Sequence, residues 1–372
     1  MKRCIRVGVF VVAVACFNAA SAIWAAEARF EIQFPDLPDY QTLKCDVHMH
    51  TMFSDGQVWP TVRVTEAWRQ GLDAIAITDH IEYQPHKDDV PTKHGRAFEL
   101  AEQSAAEYGM LFVEGAEITR DTPPGHFNAL FLNDVAAIDT PEFLDAVKRA
   151  NDQKGFVFWN HQGWKGEEKG KWFEVHETMF QKKLFHGMEV CNGETYYPTA
   201  HGWCLDKNLT MLGTSDIHTP DLRIRNTAND HRTITLVFSK ERTVPALKEA
   251  LFTGRTVVWH KDLLIGRQAW LEPLLNVCVR IEAPTKRSDK FIWVPIRNAS
   301  EADIRLERNG DAGPAQITLP ATATTLVRFD ASAASAELRY TATNFWIGPN
   351  KGLPLTLRLP AGADSATVAH GK

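Results

Sequence analysis

The sequence predicts an α/β domain built on a parallel sheet, followed by an all-β domain of immunoglobulin type. Three observations lead there. Over roughly the first 260 residues, short β-rich runs alternate with helix-prone stretches, the rhythm of βα units. Each candidate strand in the first 220 residues ends with, or is closely flanked by, a histidine or a carboxylate. From about Trp270 the helical pattern vanishes, and alternating strands separated by turn residues take over.

Taken in order, residues 1–22 read as a secretory signal peptide. Lys2, Arg3 and Arg6 make the positive start, residues 7–17 the apolar stretch, and Ala20-Ser21-Ala22 a small-residue cleavage site. The apolar run is shorter than the ~20 residues a membrane span requires, so no integral membrane span is expected in the mature chain. Cys16 offers a lipid attachment point, but Ala13 is a poor residue three places before it. The expected location is periplasmic or extracellular. Residues 23–42 form a Pro-containing lead-in. Strands are expected at 43–48, 74–78, 111–114, 127–131, 156–159, 188–190, 210–213 and 233–238, with helices at 62–70, 96–108, 141–153 and 244–253. Gly71, Gly109, Gly155 and Gly254 stand where C-terminal caps belong. The first domain is expected over 43–268 and the β-sandwich over 269–372. Strands of the latter are expected at 274–281, 291–297, 304–307, 324–329, 337–341 and 355–359, with a turn at Asn309-Gly310.

At 372 residues, two domains are the default count. Hydrophobic content of 44% and charged content of 23% are those of an ordinary globular protein. Loss of the leader, with three positive and no negative charges, takes the net charge from −5 to −8. That balance argues against long nucleic acids, which favour basic grooves. Cys45, Cys191, Cys204 and Cys278 show no Cys-x-x-Cys spacing and so no zinc ribbon. Export permits a disulfide, with Cys191 and Cys204 a conceivable pair. Cys45 has the opposite strand parity to His48 and is expected to pack outward against a helix.

The chemistry concentrates at the strand ends. In Asp46-Val47-His48-Met49-His50, residues two apart on a strand point to one side, so both imidazoles enter one space. Asp55 follows beside Gly56. Further on come His80, Glu117, His126, His161, Asp216 and His218. In parallel βα barrels such positions converge on one mouth. Any single member is more often structural; the whole arrangement is hard to explain that way. Six imidazoles, three carboxylates and no thiolate suit zinc, manganese or ferrous iron. Nine ligands exceed the needs of one ion, so two or three divalent metals are expected.

His48-Met49-His50-Thr51 with Ser54-Asp55-Gly56, Ile77-Thr78-Asp79-His80, Gly115-x-Glu117, His161 and Ser215-Asp216-Ile217-His218 match, in order, the motifs of the PHP (polymerase and histidinol phosphatase) phosphoesterases. The resemblance covers about residues 43–260. It implies a distorted (β/α)7 barrel with a two- or three-metal site at its mouth. It further implies that His48, His50, Glu117 and Asp216 hold one ion, that Glu117 bridges to a second held by His126 and His161, and that Asp55, His80 and His218 hold a third. Some family members carry His where Asp55 stands. The exported form with a β-rich tail resembles a subgroup of phosphodiesterases in this family.

The expected activity is therefore hydrolysis of small phosphodiesters by attack of a metal-activated hydroxide on phosphorus. The alternatives are a phosphomonoesterase or short-oligonucleotide exonuclease of the same family, and a non-catalytic binding protein with a vestigial site. The complete ligand set argues against the last. Asp79, beside His80, is a candidate proton carrier or a hydrogen-bond acceptor for its neighbours. Arg223, Arg225 and Arg232 either contact the phosphate or make ordinary surface salt bridges, and Arg225, seven residues beyond His218, is favoured for the phosphate. The 83–96 stretch, with Lys93, His94 and Arg96, is either a lid or a solvated connection. Trp159, Trp164, Trp172 and Trp203 either line an aromatic pocket or pack in the core, and Glu189 and His201 are candidates to support the ligands. The 344–348 segment is apolar enough to dock the tail on the barrel.

Overall fold

The structure, a computed structural model, describes residues 28–91, 93–223, 226–228, 230–360 and 366–367. The leader expected over 1–22, with Cys16, and the candidate Arg225 lie outside the described residues.

The first domain runs β1 (Gln41–Asp46), α1 (Pro60–Arg69), β2 (Ala74–Ile77), α2 (Arg96–Glu107), β3 (Leu111–Ile118), β4 (Phe127–Leu130), α3 (Phe143–Asp152), β5 (Phe156–Trp159), α4 (Glu174–Gln181), β6 (Gly187–Asn192), β7 (Thr195–Tyr196), α5 (Pro198–Asp206), β8 (Thr210–Thr214), β9 (Ile234–Ser239), α6 (Val244–Phe252), β10 (Thr256–His260), β11 (Leu263–Gly266) and α7 (Gln268–Cys278). Strands β9, β1, β2, β3, β4, β5 and β6 lie side by side in that order, and β8 pairs with β6. Thr235 on β9 then closes the wall. Its hydroxyl accepts the Gly213 N–H at 2.9 Å and donates to the Gly213 carbonyl at 2.8 Å. Only glycine permits this approach, since a Cβ at Gly213 would sit 2.2 Å from Val258 Cγ1. The result is a distorted barrel with helices outside.

The sheet is less parallel than the sequence suggests. Strand β4 runs antiparallel to both β3 and β5, and β9 antiparallel to β1. The chain from Ile118 to Phe127 is too short for the crossover that a parallel pair needs, a dozen or more residues. Core strands are buried on both faces, as in β5, where all four residues of Phe-Val-Phe-Trp are enclosed. Cys45 does not pack outward as expected: it lies in the core the strands enclose, with Ala74, Val113, Phe156, Leu212 and Val237 and with Leu247, Ala250 and Leu251 of α6, which closes that end of the barrel against β3, β5 and β9. All four described cysteines are free and buried, so Cys191 and Cys204 are not joined.

The helical pattern does not end at Trp270. Residues 268–278 form α7, although a strand is expected from 274. Leu271, Leu274, Leu275 and Cys278 are its buried residues, a spacing of three and four that the internal Pro273 obscures. The tail then gives β12 (Val279–Ile281), β13 (Lys286–Arg287), β14 (Phe291–Asn298), β15 (Ile304–Arg308), β16 (Gln316–Leu319), β17 (Thr324–Asp330), β18 (Leu338–Gly348), β19 (Lys351–Leu357) and β20 (Ala366–Thr367). Asn309-Gly310 opens the loop between β15 and β16. One tail sheet is β13-β14-β12-β20 with β17 on β14; the other contains β16, β15, β18 and β19. The inward residues of both form one core, including Ile292, Val294 and Phe329 from one sheet and Leu306, Leu338 and Leu355 from the other.

The tail is joined to the barrel through its backbone. Strand β18 lies parallel to β11, pairing Leu264 with Phe345 and Ile265 with Trp346. Asn344 donates to the Asp262 and Asp303 carbonyls, both at 2.8 Å. The lead-in straps both parts: Phe34 meets Trp259 edge-on at 5.2 Å, and the Glu301 N–H donates to the Gln33 carbonyl at 2.6 Å. No helix among the described residues is long and apolar enough to cross a membrane.

Candidate metal centre

Beyond β1 the backbone stays extended and is held on both sides. The Asp216 N–H donates to the His48 carbonyl, the His50 N–H to the Ile217 carbonyl, and the Thr78 N–H to the Met49 carbonyl. Met49 thus turns into the hydrophobic core, and His48 and His50 turn together into the mouth, both fully buried. Asp55 sits on a tight turn whose Gly56 N–H donates to the Thr51 carbonyl. A Cβ at Gly56 would lie 2.6 Å from the His50 carbonyl carbon and the Thr51 nitrogen, so this packing also requires glycine. His80 and Glu117 stand opposite each other where β2 and β3 run out, in an isolated parallel bridge. His161 and Asp216 adopt left-handed backbone conformations, with φ of 27° and 50°. Such strain costs on the order of 1–3 kcal/mol and concentrates at functional sites.

All nine predicted ligand residues gather at this mouth. The Nε2 atoms of His48 and His50 are 3.1 Å apart. Asp216 Oδ1 lies 3.1 and 3.0 Å from them, and Glu117 Oε2 3.4 Å from each. The other Glu117 oxygen faces His126 Nδ1 at 3.0 Å and His161 Nε2 at 3.5 Å. His80 Nδ1 is 2.9 Å from Glu117 Oε2. Asp55 Oδ1 faces His218 at 3.2 Å, His80 at 3.5 Å and His50 at 3.6 Å. Three overlapping groups could each hold an ion: His48, His50 and Glu117; His80, Glu117 and His126; and His50, Asp55, His80 and His218.

The electrostatics show what this cluster requires. Burial opposes protonation of His48, yet Asp216, Glu189 and Glu117 outweigh it and push its pKa well above the ordinary imidazole value. Burial likewise opposes His80, but Glu117 and Asp55 lift it to about 10. Burial, aided by the charge on His80, pushes His50 down to about 4. Burial disfavours ionised Glu117 and Asp216, but the imidazoles around them hold both carboxyls below their usual range. Positive charge is thus demanded at the centre. Even so, Glu117 Oε2 and Asp216 Oδ1 are buried without a hydrogen-bond partner. A buried carboxylate oxygen is rarely left so, and two aimed at a pair of Nε2 atoms fit a divalent cation of the borderline or hard class.

Supporting groups fix the donors. Glu189 Oε1 accepts from His48 Nδ1 at 2.7 Å and from the Thr214 hydroxyl at 2.6 Å, while Oε2 accepts the His161 N–H at 2.7 Å. Asp79 faces the 51–54 loop. It accepts the Thr51 N–H and the Ser54 hydroxyl at 2.7 Å and the Thr51 hydroxyl at 2.6 Å, and burial raises its pKa. Arg63, which no sequence signal marks, is fully buried. It donates to the carbonyls of His50 (2.9 Å), Thr219 (2.8 Å) and Ile217 (3.1 Å), tying the two ligand segments together.

The mouth opens into a cavity of about 430 Å³ whose lining includes Asp55, His80, Glu117, His126, His161 and His218, with Tyr83, Trp164 and Tyr197. For several candidates the structure bears out the alternative reading, salt bridging, a solvated connection or core packing. Arg223 is paired with Asp221 and Asp230, and Arg232 is buried between Asp46 and Asp221. Within the 83–96 stretch, Tyr83 reaches the cavity, while His94 is paired with Asp139, and Lys93 and Arg96 with Glu99. Trp159 stacks on His176 at 3.8 Å and packs with Trp172 and Trp203 in the core. His201 faces the Tyr196 hydroxyl at 2.9 Å, away from the centre.

A family model described as an Ig-like domain matches residues 279–358. A two-domain protein of Bacteroides vulgatus containing a predicted PHP-like metal-dependent phosphoesterase is 43% identical. Its alignment covers 90% of this chain and all of that one, with a TM-score of 0.84. A candidate metal-dependent phosphoesterase of Bifidobacterium adolescentis is 17% identical over 47% of this chain and 88% of its own, with a TM-score of 0.37. No curated protein matches. By identity, coverage and two-domain layout, the chain belongs to the PHP-like metal-dependent phosphoesterases.

Proposed function

We propose that the protein is an exported phosphodiesterase that hydrolyses small phosphodiesters to a monoester and an alcohol. The observation that carries this is the meeting of His48 Nε2, His50 Nε2, Glu117 Oε2 and Asp216 Oδ1 within 3.0–3.4 Å contacts, with both carboxylate oxygens buried and lacking a hydrogen bond. These four would hold one divalent ion. Glu117 would bridge to a second at His126 and His161, and Asp55, His80 and His218 would take a third. Manganese, zinc and ferrous iron all suit the donors. Such ions supply an acidified water as the nucleophile and offset the charge on the phosphoryl oxygens.

The chain's own groups do the rest. Glu189 holds His48 in the tautomer whose Nε2 lone pair faces the centre. Asp79 is assigned as a positioning residue for the Thr51–Ser54 turn that carries Asp55. The cavity's size suits a small diester and not a duplex. Residues 43–268 are assigned as the catalytic unit and 269–372 as the tail, with export resting on the leader pattern of 1–22. The test compares bis(4-nitrophenyl) phosphate with 4-nitrophenyl phosphate in the presence of manganese or zinc, then with a chelator. Preference for the diester, abolished by the chelator, is expected. Preference for the monoester would replace the reading with a phosphomonoesterase, and inactivity on every phosphoester would reject it.

A further inference from the structure

Around the metal-binding residues the cavity wall is aromatic. Trp164 is 50% exposed and Tyr83 52% exposed, although both are large rings beside a buried centre. The Trp164 ring centroid is 5.4 Å from those of both His126 and His161, and the Tyr83 ring is 5.8 Å from His80. Tyr197, largely buried, completes the aromatic part of the same lining. No lysine or arginine lines this cavity among the described residues; the Lys165 ammonium lies over the Trp164 ring at 4.7 Å and is paired with Asp121. Sites for dianionic monoesters or several phosphates commonly supply guanidinium or ammonium groups. A wall of rings offers instead stacking and apolar contact to whatever the phosphorus carries.

Resting on the phosphodiesterase reading, we propose that Trp164 and Tyr83 are specificity-determining residues that select monoanionic diesters bearing an aromatic substituent, an aryl group or a heterocyclic base. The phosphoryl group sits at the histidine-carboxylate centre. The substituent lies along the half-exposed Trp164 and Tyr83 rings, on the surface that Lys165, 4.7 Å from the Trp164 centroid, leaves open. An alkyl substituent leaves those rings in water and gains little.

The test uses two monoanions with no ester bond to cleave, methylphenylphosphinate and dimethylphosphinate, titrated calorimetrically into the metal-loaded full chain. Two aromatic contacts of ordinary strength give the phenyl ligand about a 10-fold advantage. Trp164→Ala and Tyr83→Ala should each shrink that ratio while leaving dimethylphosphinate affinity unchanged, and Trp164→Phe should restore most of it. A purely structural role for Trp164, supporting His126 and His161, would weaken both ligands in parallel and overturn the proposal. Equal binding of the two ligands by the unaltered protein, with diester hydrolysis intact, would overturn the proposal alone. Failure to bind either ligand, together with failure to hydrolyse any phosphoester, would overturn both this proposal and the activity it rests on.

Discussion

Glu189 Oε1 stands 2.7 Å from His48 Nδ1, with both residues fully buried. The carboxylate therefore orients the ring, places a proton on Nδ1 and leaves Nε2 to face Asp216 and Glu117. A group of this kind typically contributes 10–100-fold to metal affinity. Glu189→Gln should lower affinity for the ion at His48 by about 10–100-fold, measured by competition with a chromogenic chelator. Unchanged affinity would mean that His48 is held by packing alone.

Removing metal should also cost stability. The ion binds the assembled centre and not the unfolded chain, so at 100 times the dissociation constant it stabilises by about 2.7 kcal/mol. Thermal melts should move down by several degrees with chelator and recover with manganese or zinc. His48→Ala should lose the part of that shift due to the ion at His48 and keep the part due to its neighbours. A shift of undiminished size in His48→Ala would mean that no ion is held there.

Asp79 separates two roles that sequence alone left open. Its oxygens accept three hydrogen bonds from Thr51 and Ser54, so Asp79→Asn would set an amide against those donors. The expected loss is about 1–3 kcal/mol of stability, with the limbs of the pH–rate profile unmoved. A shifted or missing limb would identify Asp79 as a proton carrier.

Acid stability has a source outside the centre. Burial pushes His176 and His186 down to about 4. His176 Nδ1 accepts the Phe173 N–H, and its other nitrogen donates to the Pro124 carbonyl at 2.7 Å, so only the neutral ring fits. With the folded pKa below the ordinary 6.5, the unfolded chain takes up the proton first. Each histidine's contribution is complete above about pH 6.5 and is lost as pH falls to about 4. In chelated protein the loss should approach ~1.4 kcal/mol per pH unit per histidine in that window. His176→Gln should flatten the slope of chemical-denaturation stability against pH; an unaltered slope would contradict the assignment.

Much of the centre was legible because His48 and His50, two apart on extended backbone, share a side. The same parity failed for Cys45, three residues before His48, because it does not carry from β1 into the strand's continuation: Cys45 lies in the core the strands enclose. The gathering of Glu117, His126, His161 and Asp216 followed from their places beside strand ends. Arg63 was not legible, because a buried arginine on an amphipathic helix looks like any surface arginine until its carbonyl partners at Ile217 and Thr219, more than 150 residues away, are in place. Arg232 misled for the converse reason: its nearness to His218 in sequence hid its pairing with Asp46, 186 residues back. Helix α7 was missed because Pro273 reads as a breaker. The antiparallel β4 was missed because strand direction depends on connection length, which pattern alone underweights.

The most direct test is elemental analysis of the purified protein beside His126→Ala and His218→Ala. Two or three equivalents of divalent metal are expected in the unaltered protein, with each variant losing a distinct share. Absence of retained metal from the unaltered protein under non-chelating conditions, or full retention by both variants, would contradict the claim that these side chains clasp the ions.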